Sequence, residues 1–383
     1  MKNQKLFIML ILAVLLGLGT FGFSQNFAGS KTKNVKASCE NVRPLGRTLN
    51  MNDSLFLCFS STGIEFNVKA RHLEINFVTD SGTNGSLKDS SPRIIALLNG
   101  ERIADEMIIA KNQSVLIFDY KENVEGLVQI LKVSESAQSL LGIESLTLDA
   151  KGEISPSAQR KTKIEFIGDS ITCGYGVDDL NKNHHFKTST EDSTKTYAFK
   201  TAAALEADWS FVSASGWGII SGYSGDGKKY SNMQIPAVYD RLGVSWGSTI
   251  NGMNPVEKVW NFDYFKPDVV VVNLGTNDAS YTKGRADRCE EFKTAYVDFI
   301  KKIREKNPDA YIICSLGIMG GDLYSYISQA VAEYSVATGD RRLSAFKFDN
   351  QNSADGIAAD WHPSEKTHSK AATKLVMKIR EVL

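Results

Sequence analysis

Apolar and polar positions follow two different rules along this chain. Over 42–148 the apolar residues come in short runs: "SLFLCFS", "GIEFNVKA", "LEINFVTD", "RIIALLNG", "SVLIFDY", "GLVQILKVS" and "IESLTLDA". Turn residues separate these runs every 8 to 12 positions or so, and several of them alternate apolar with polar, which predicts an all-β sandwich over 31–150. The next stretch, 151–163, "KGEISPSAQRKTK", is polar, contains Gly and Pro and has no period, so it reads as a linker.

From 164 to 383 the pattern becomes one of strands alternating with helices. "KIEFIG", "WSFVSAS", "DVVVVNLG" and "AYIICSLG" are continuous apolar runs of strand length, as expected for a parallel sheet covered on both faces. Helical periods lie between or after them, over 194–206, 285–305, 323–338 and 364–382. In the last, Leu375, Val376, Ile379 and Val382 fall on one face. This predicts an α/β domain with a parallel sheet, whose ligands bind beyond the carboxyl ends of the strands.

The first thirty residues fit neither rule. Lys2 and Lys5 precede an apolar run over 6–23, followed by small and polar residues up to Ser30. This is the layout of a secretory signal peptide; at 18 residues the run also reaches the length of an N-terminal membrane anchor, so both readings stand. No second apolar stretch of that length occurs. Those two lysines are the segment's only charges, so 42 of the 44 basic side chains remain beyond it against 44 acidic ones. Such a balance lacks the basic excess of a nucleic-acid binder and suits a neutral polymer or small ester. The five cysteines, Cys39, Cys58, Cys173, Cys289 and Cys314, are widely spaced and odd in number, which excludes a dense disulfide scaffold. With no C-x-x-C pair, and with His184 and His185 adjacent rather than spaced to converge, no metal and no cofactor is expected.

Unusual polar chemistry follows three of the strands and precedes the last helix: Gly168-Asp169-Ser170, Ser213-Ala214-Ser215-Gly216-Trp217-Gly218, Gly275-Thr276-Asn277-Asp278 and Asp360-Trp361-His362-Pro363. Singly, each has a plain structural meaning. Ser170 suits a helix cap, the glycines suit turns, Asn277 an Asx-turn, and His362 a satisfied core or surface imidazole. Together, at the ends where this architecture places its site, they supply a hydroxyl, backbone amides, a side-chain amide and a base. Those are the parts of acyl transfer.

The four blocks resemble those of the GDSL-type or SGNH serine hydrolases. "GDSIT" is similar to the block that carries the nucleophile, "SASGWG" to the oxyanion-glycine block with Ser213 in place of its Asn, "GTND" to the Asn block and "DWHP" to the His block. The family's usual final block is D-x-x-H, whereas here Ala359 occupies the acid's place and the nearest acid is Asp360. That departure, the preceding β-domain, "FIGDSITCGYGV", "NLGTND" and Gly46-Arg47 resemble carbohydrate esterase family two, whose members remove acetyl groups from xylan or glucomannan. The resemblance spans roughly 42–383. It implies a flavodoxin-like SGNH hydrolase domain preceded by a jelly-roll β-sandwich.

The same resemblance implies the residue roles. Ser170 would be the nucleophile, His362 the base, and Asp360 the group that orients the imidazole, through its carboxylate or its backbone carbonyl. The Ser170 and Gly218 amides and the Asn277 side chain would form the oxyanion hole, with Gly216 as the second choice. Asp169 is expected to be structural and Cys173 an inward-facing filler. Trp217 and Trp361 are the expected sugar-binding aromatics, since sugar rings present C–H faces to aromatic side chains. The loops over 178–192 and 222–263 are expected to border the substrate. The expected partner is an acetylated polysaccharide or oligosaccharide, with membrane attachment only through the N-terminal segment. Rival readings are a lipase or thioesterase, an esterase of cell-envelope glycan such as peptidoglycan, and a non-catalytic carbohydrate-binding protein.

Overall fold

The computed structural model describes residues 31–80 and 88–383; the signal-or-anchor reading of the first thirty residues lies outside them. The β-domain is built on two long antiparallel strands, Thr62–Thr79 and Asn112–Lys132. Register shifts between Ala70 and His72 and between Leu73 and Glu74 bend this pair at mid-length. Beyond the bend Thr62–Thr79 takes on Leu141–Asp149; before it the same strand takes on Arg43–Leu45 and Glu153–Pro156. The two halves fold face to face, as strands that turn a corner at bulges do, so that Phe66, Val68 and Ile130 share one core with Ile75, Phe77 and Leu146. Glu153–Pro156 lies inside the polar stretch 151–163, so part of that segment is strand.

The α/β domain has a five-stranded parallel sheet in the order Asp208–Ser213, Lys163–Gly168, Val269–Asn273, Tyr311–Ile318, Leu343–Asn350. That is the doubly wound order 2-1-3-4-5. The chain reverses direction across the sheet beside Lys163–Gly168, so the carboxyl end of that strand opens at the switch point, and Ser170 stands there. The fifth strand, Leu343–Asn350, carries no continuous apolar run. Its pattern is mixed because it is an edge strand with one half-exposed side.

The two domains share hydrophobic cores, flanked by ion pairs such as Arg43–Asp208, Arg93–Asp178 and Arg102–Asp192. Phe59 and Ala137 of the β-domain pack with Val212, Trp217 and Tyr239, and Leu45, Leu131 and Val133 pack with Phe166 and Phe211. Arg47 is wholly buried across this boundary. Its guanidinium donates to the carbonyls of Tyr239 and Arg241 at 2.6 and 2.7 Å and to Glu165 at 3.1 Å, amid the rings of Phe59, Tyr239, Trp260 and Phe262. Glu165 sits on the strand that leads to Ser170, so the pair ties the β-domain to the site's own support. Removing one partner of a buried ion pair leaves an uncompensated charge. Arg47→Ala is therefore expected to lower the unfolding free energy by about 3–5 kcal/mol. Denaturant titration checks this, and an unchanged midpoint would show that the boundary does not depend on Arg47.

Candidate active site

Ser170 opens a single helical turn, Ser170–Cys173, directly after the strand Lys163–Gly168. Asp169 caps the turn, its carboxylate accepting the Ile171 N–H at 3.0 Å, and this aims Ser170 out of the strand end. Burial pushes the Asp169 carboxyl up to about 7. Cys173 is buried, its thiol 3.3 Å from the Ser213 hydroxyl. Gly176 lets the chain pass the His362 segment: its φ is +59°, and a Cβ there would lie 2.7 Å from Ala359 Cβ.

His362 precedes the helix Glu365–Arg380, with Ser364 as that helix's cap. Nε2 of His362 lies 2.9 Å from Ser170 Oγ. Its Nδ1 lies 3.2 Å from two backbone carbonyl oxygens, those of Ala359 and Asp360. Both carbonyls are brought there by a left-handed turn at Asp360 and Trp361, with φ of 49° and 66°. Non-glycine residues pay for that conformation with about 1–3 kcal/mol each, strain of the kind found at functional sites. The two carbonyls require a proton on Nδ1, which leaves the Nε2 lone pair for the serine hydroxyl. Burial drives the imidazole down to about 4, outweighing the two carbonyls that favour its charged form, so the ring is neutral at neutral pH.

Asp360 acts on His362 through its carbonyl, and its carboxylate turns elsewhere. It accepts the Tyr175 hydroxyl at 2.7 Å and the Phe186 N–H at 3.0 Å, and it meets His185 Nδ1 at 2.9 Å. Burial alone would raise this carboxyl, but those three contacts hold it below the usual carboxylate range. The Tyr175 ring stacks on the His362 ring at 3.9 Å and 19°. The carboxylate thus fixes the imidazole's aromatic neighbour and the loop over 178–192.

One of the expected oxyanion donors has its amide engaged within the protein. The Gly218 N–H donates to the Met233 carbonyl at 3.1 Å, and a Cβ at Gly218 would lie 2.5 Å from the Asp278 carboxylate, so this glycine serves close packing. The N–H of Gly216 and that of Ser170 have no hydrogen-bond acceptor among the described residues, so both can serve as oxyanion donors. Asn277 Nδ2 donates to the Trp217 carbonyl at 2.8 Å and to the Asp169 carboxylate at 3.3 Å, so one of these two hydrogens must turn to serve an oxyanion. Asp278, which the sequence reading gave no role, accepts the amides of Ile219, Ile220 and Ser221 at 2.8–3.2 Å. Burial pushes its carboxyl up to about 6 against those three amides. The acid in "GTND" is the only sequence signal of this clamp.

The aromatics divide differently too. Trp217 is 5% exposed and packs in the core, so it has no open face for a sugar. Its neighbour Trp246, at 5.8 Å, is 50% exposed, and Trp361 is 56% exposed. For a cation, one cluster among the described residues brings candidate ligand atoms within 4.8 Å of one another: Glu135, Cys173 and Glu191, all buried. Lys132, also buried, already lies in their field.

Residues 164–375 match the family model described as GDSL-like Lipase/Acylhydrolase. The chain is 36% identical to the cellulase/esterase CelE of Acetivibrio thermocellus over 58% of its own length, and it spans 26% of that longer protein. It is 24% identical to an acetylxylan esterase / glucomannan deacetylase of Cellvibrio japonicus, over 92% of each chain. Among solved structures it is similar to a family two carbohydrate esterase from Clostridium thermocellum in complex with cellohexaose, with a TM-score of 0.75 and 26% identity over 89% of this chain and 98% of that one.

Three outcomes follow for p-nitrophenyl acetate hydrolysis. Asp360→Asn is expected to lower kcat by about tenfold at most, against the roughly 10⁴-fold lost when a true triad acid is neutralised; a loss near the larger figure would return the carboxylate to the imidazole. Asn277→Ala is expected to lower kcat by about 10²- to 10³-fold with an unchanged circular dichroism spectrum. The base works as the neutral ring, and burial keeps it neutral below its ordinary 6.5, so kcat/KM should fall on the acid side with a midpoint near 4, as a pH–rate profile would show.

Proposed function

The chain belongs to the GDSL-like lipase/acylhydrolase family, and from that premise we propose that it removes O-acetyl groups from polysaccharides of the xylan or glucomannan type. The observation that carries this reading is the 2.9 Å contact between Ser170 Oγ and a buried, neutral His362. Ser170 Oγ attacks the acetyl carbonyl while His362 Nε2 takes its proton. The charge that develops on the carbonyl oxygen meets the amides of Ser170 and Gly216 and the side chain of Asn277. Collapse of this intermediate breaks the ester bond, and the imidazolium returns the proton to the departing sugar hydroxyl. Water, deprotonated by the same imidazole, then releases acetate from the acetyl-serine.

Support for a glycan comes from the rim of the site. Trp361 adjoins the base, Trp246 covers Trp217, and Tyr223, which donates its N–H to the Gly216 carbonyl, is exposed. Exposed flat aromatics suit sugar faces, whereas a long acyl chain calls for an enclosed apolar groove. The sequence similarity to an acetylxylan esterase / glucomannan deacetylase supports the same class. The basic and then apolar start of the chain supports export to where such polymers lie.

Acetate release from acetylated xylan, acetylated glucomannan and O-acetylated peptidoglycan by wild type and Ser170→Ala tests the proposal. Release from the two plant polymers, lost by about 10⁴-fold or more in the variant, is expected. Equal activity in Ser170→Ala would end the serine mechanism. Preference for peptidoglycan, or for p-nitrophenyl octanoate over acetate, would move the substrate to the cell envelope or to lipid.

A further inference from the structure

The segment between the β-domain strands Asn112–Lys132 and Leu141–Asp149, residues 133–140, "VSESAQSL", is a loop that lies inside the protein. All of it but Gln138 is buried. Loops ordinarily run over the surface, because buried backbone and polar side chains must all find partners. Here several of the partners come from the α/β domain. The Val133 carbonyl accepts the Ser193 N–H at 3.1 Å, and the Ser136 hydroxyl lies 2.9 Å from the Val244 carbonyl and 2.7 Å from that of Cys58.

Glu135 is the centre of this arrangement and makes two contacts of consequence. Its backbone N–H donates to Glu191 at 2.9 Å, and the next residue, Asp192, donates its own N–H to the Gly174 carbonyl, which ends the turn that carries Ser170. Its side chain accepts the backbone N–H of Ser215 at 2.9 Å. Ser215 immediately precedes Gly216. One β-domain residue therefore bridges the nucleophile's turn and the peptide that leads into the oxyanion donor.

We propose that Glu135 is a positioning residue for the oxyanion site: its side chain fixes the Ser215 amide and through it aims the Gly216 N–H at the ester oxygen. The β-domain is then part of the catalytic apparatus. This rests on the reading of Gly216 as an oxyanion donor given above. The nearby charges balance poorly, with two buried carboxylates, Glu135 and Glu191, facing one buried lysine, Lys132. Burial raises both carboxyls. A protonated carboxyl still accepts an N–H through its carbonyl oxygen, so glutamine reproduces the contact and also removes one excess acid.

The test compares Glu135→Gln, which keeps the acceptor, with Glu135→Met, which keeps the volume without it. Both are made in the full chain, with p-nitrophenyl acetate as substrate and circular dichroism to count folded protein. Because displacement of a reacting group by about 1 Å costs on the order of 10²-fold, Glu135→Met should lose roughly 10- to 100-fold in kcat with KM within about threefold, and Glu135→Gln should keep kcat within about threefold of wild type. Equal kcat in folded Glu135→Met and wild type overturns the proposal, as does an equal loss in both variants. If Glu135→Met does not fold, Glu135→Asp, whose carboxylate falls one methylene short, is read in its place by the same criteria. A wild type that hydrolyses no acetyl ester defeats the parent reading and this inference with it; an active wild type matched by Glu135→Met defeats this inference alone.

Discussion

The hydrogen bond between Ser170 Oγ and His362 Nε2 joins segments 192 residues apart, and the surrounding structure exists to hold its two ends. A buried imidazole must be neutral, must carry its proton on the far nitrogen, and must keep its plane. Here backbone carbonyls and a stacked tyrosine meet those needs without a carboxylate at Nδ1. The left-handed turn at Asp360 and Trp361 is the strained element that aims the carbonyls. The hydrogen bonds from Tyr175 and Phe186 to the Asp360 side chain, with its His185 contact, hold that turn in place.

The same logic extends outward to the β-domain. Arg47 secures the strand that ends at the nucleophile, and the buried loop 133–140 reaches both the nucleophile's turn and the oxyanion peptide. A buried arginine and a buried polar loop are costly unless their groups find partners, and several of those partners, Glu165, Val244 and Ser215 among them, lie across the domain boundary. The shared hydrophobic cores make the pair of domains one compact unit over Thr32–Leu383.

The α/β class and the meeting of Ser170 with His362 were legible because strand-end position and residue type together leave few other uses for such a set. Choices that depend on distant partners were not legible. The Met233 carbonyl occupies the Gly218 amide and not that of Gly216, and that carbonyl comes from a long loop. Trp217 and Trp246 are alike as residues, and only packing decides which ring is open. Asp360 revealed an acid beside a histidine but not the positive φ that turns its carboxylate away. The edge strand Leu343–Asn350 lacks the apolar run that marked its four neighbours, and Glu135 belongs to no motif at all.

By the mechanism proposed above, Ser170 becomes covalently acetylated during turnover. Rapid mixing with p-nitrophenyl acetate, acid quench, and peptide mass mapping tests it most directly, since an acyl-enzyme appears as a burst of product with one acyl group on the nucleophile. One acetyl group per chain is expected, on the peptide carrying Ser170. Acetyl on any other residue, or turnover with no acetylated protein under conditions that trap the intermediate, would contradict it.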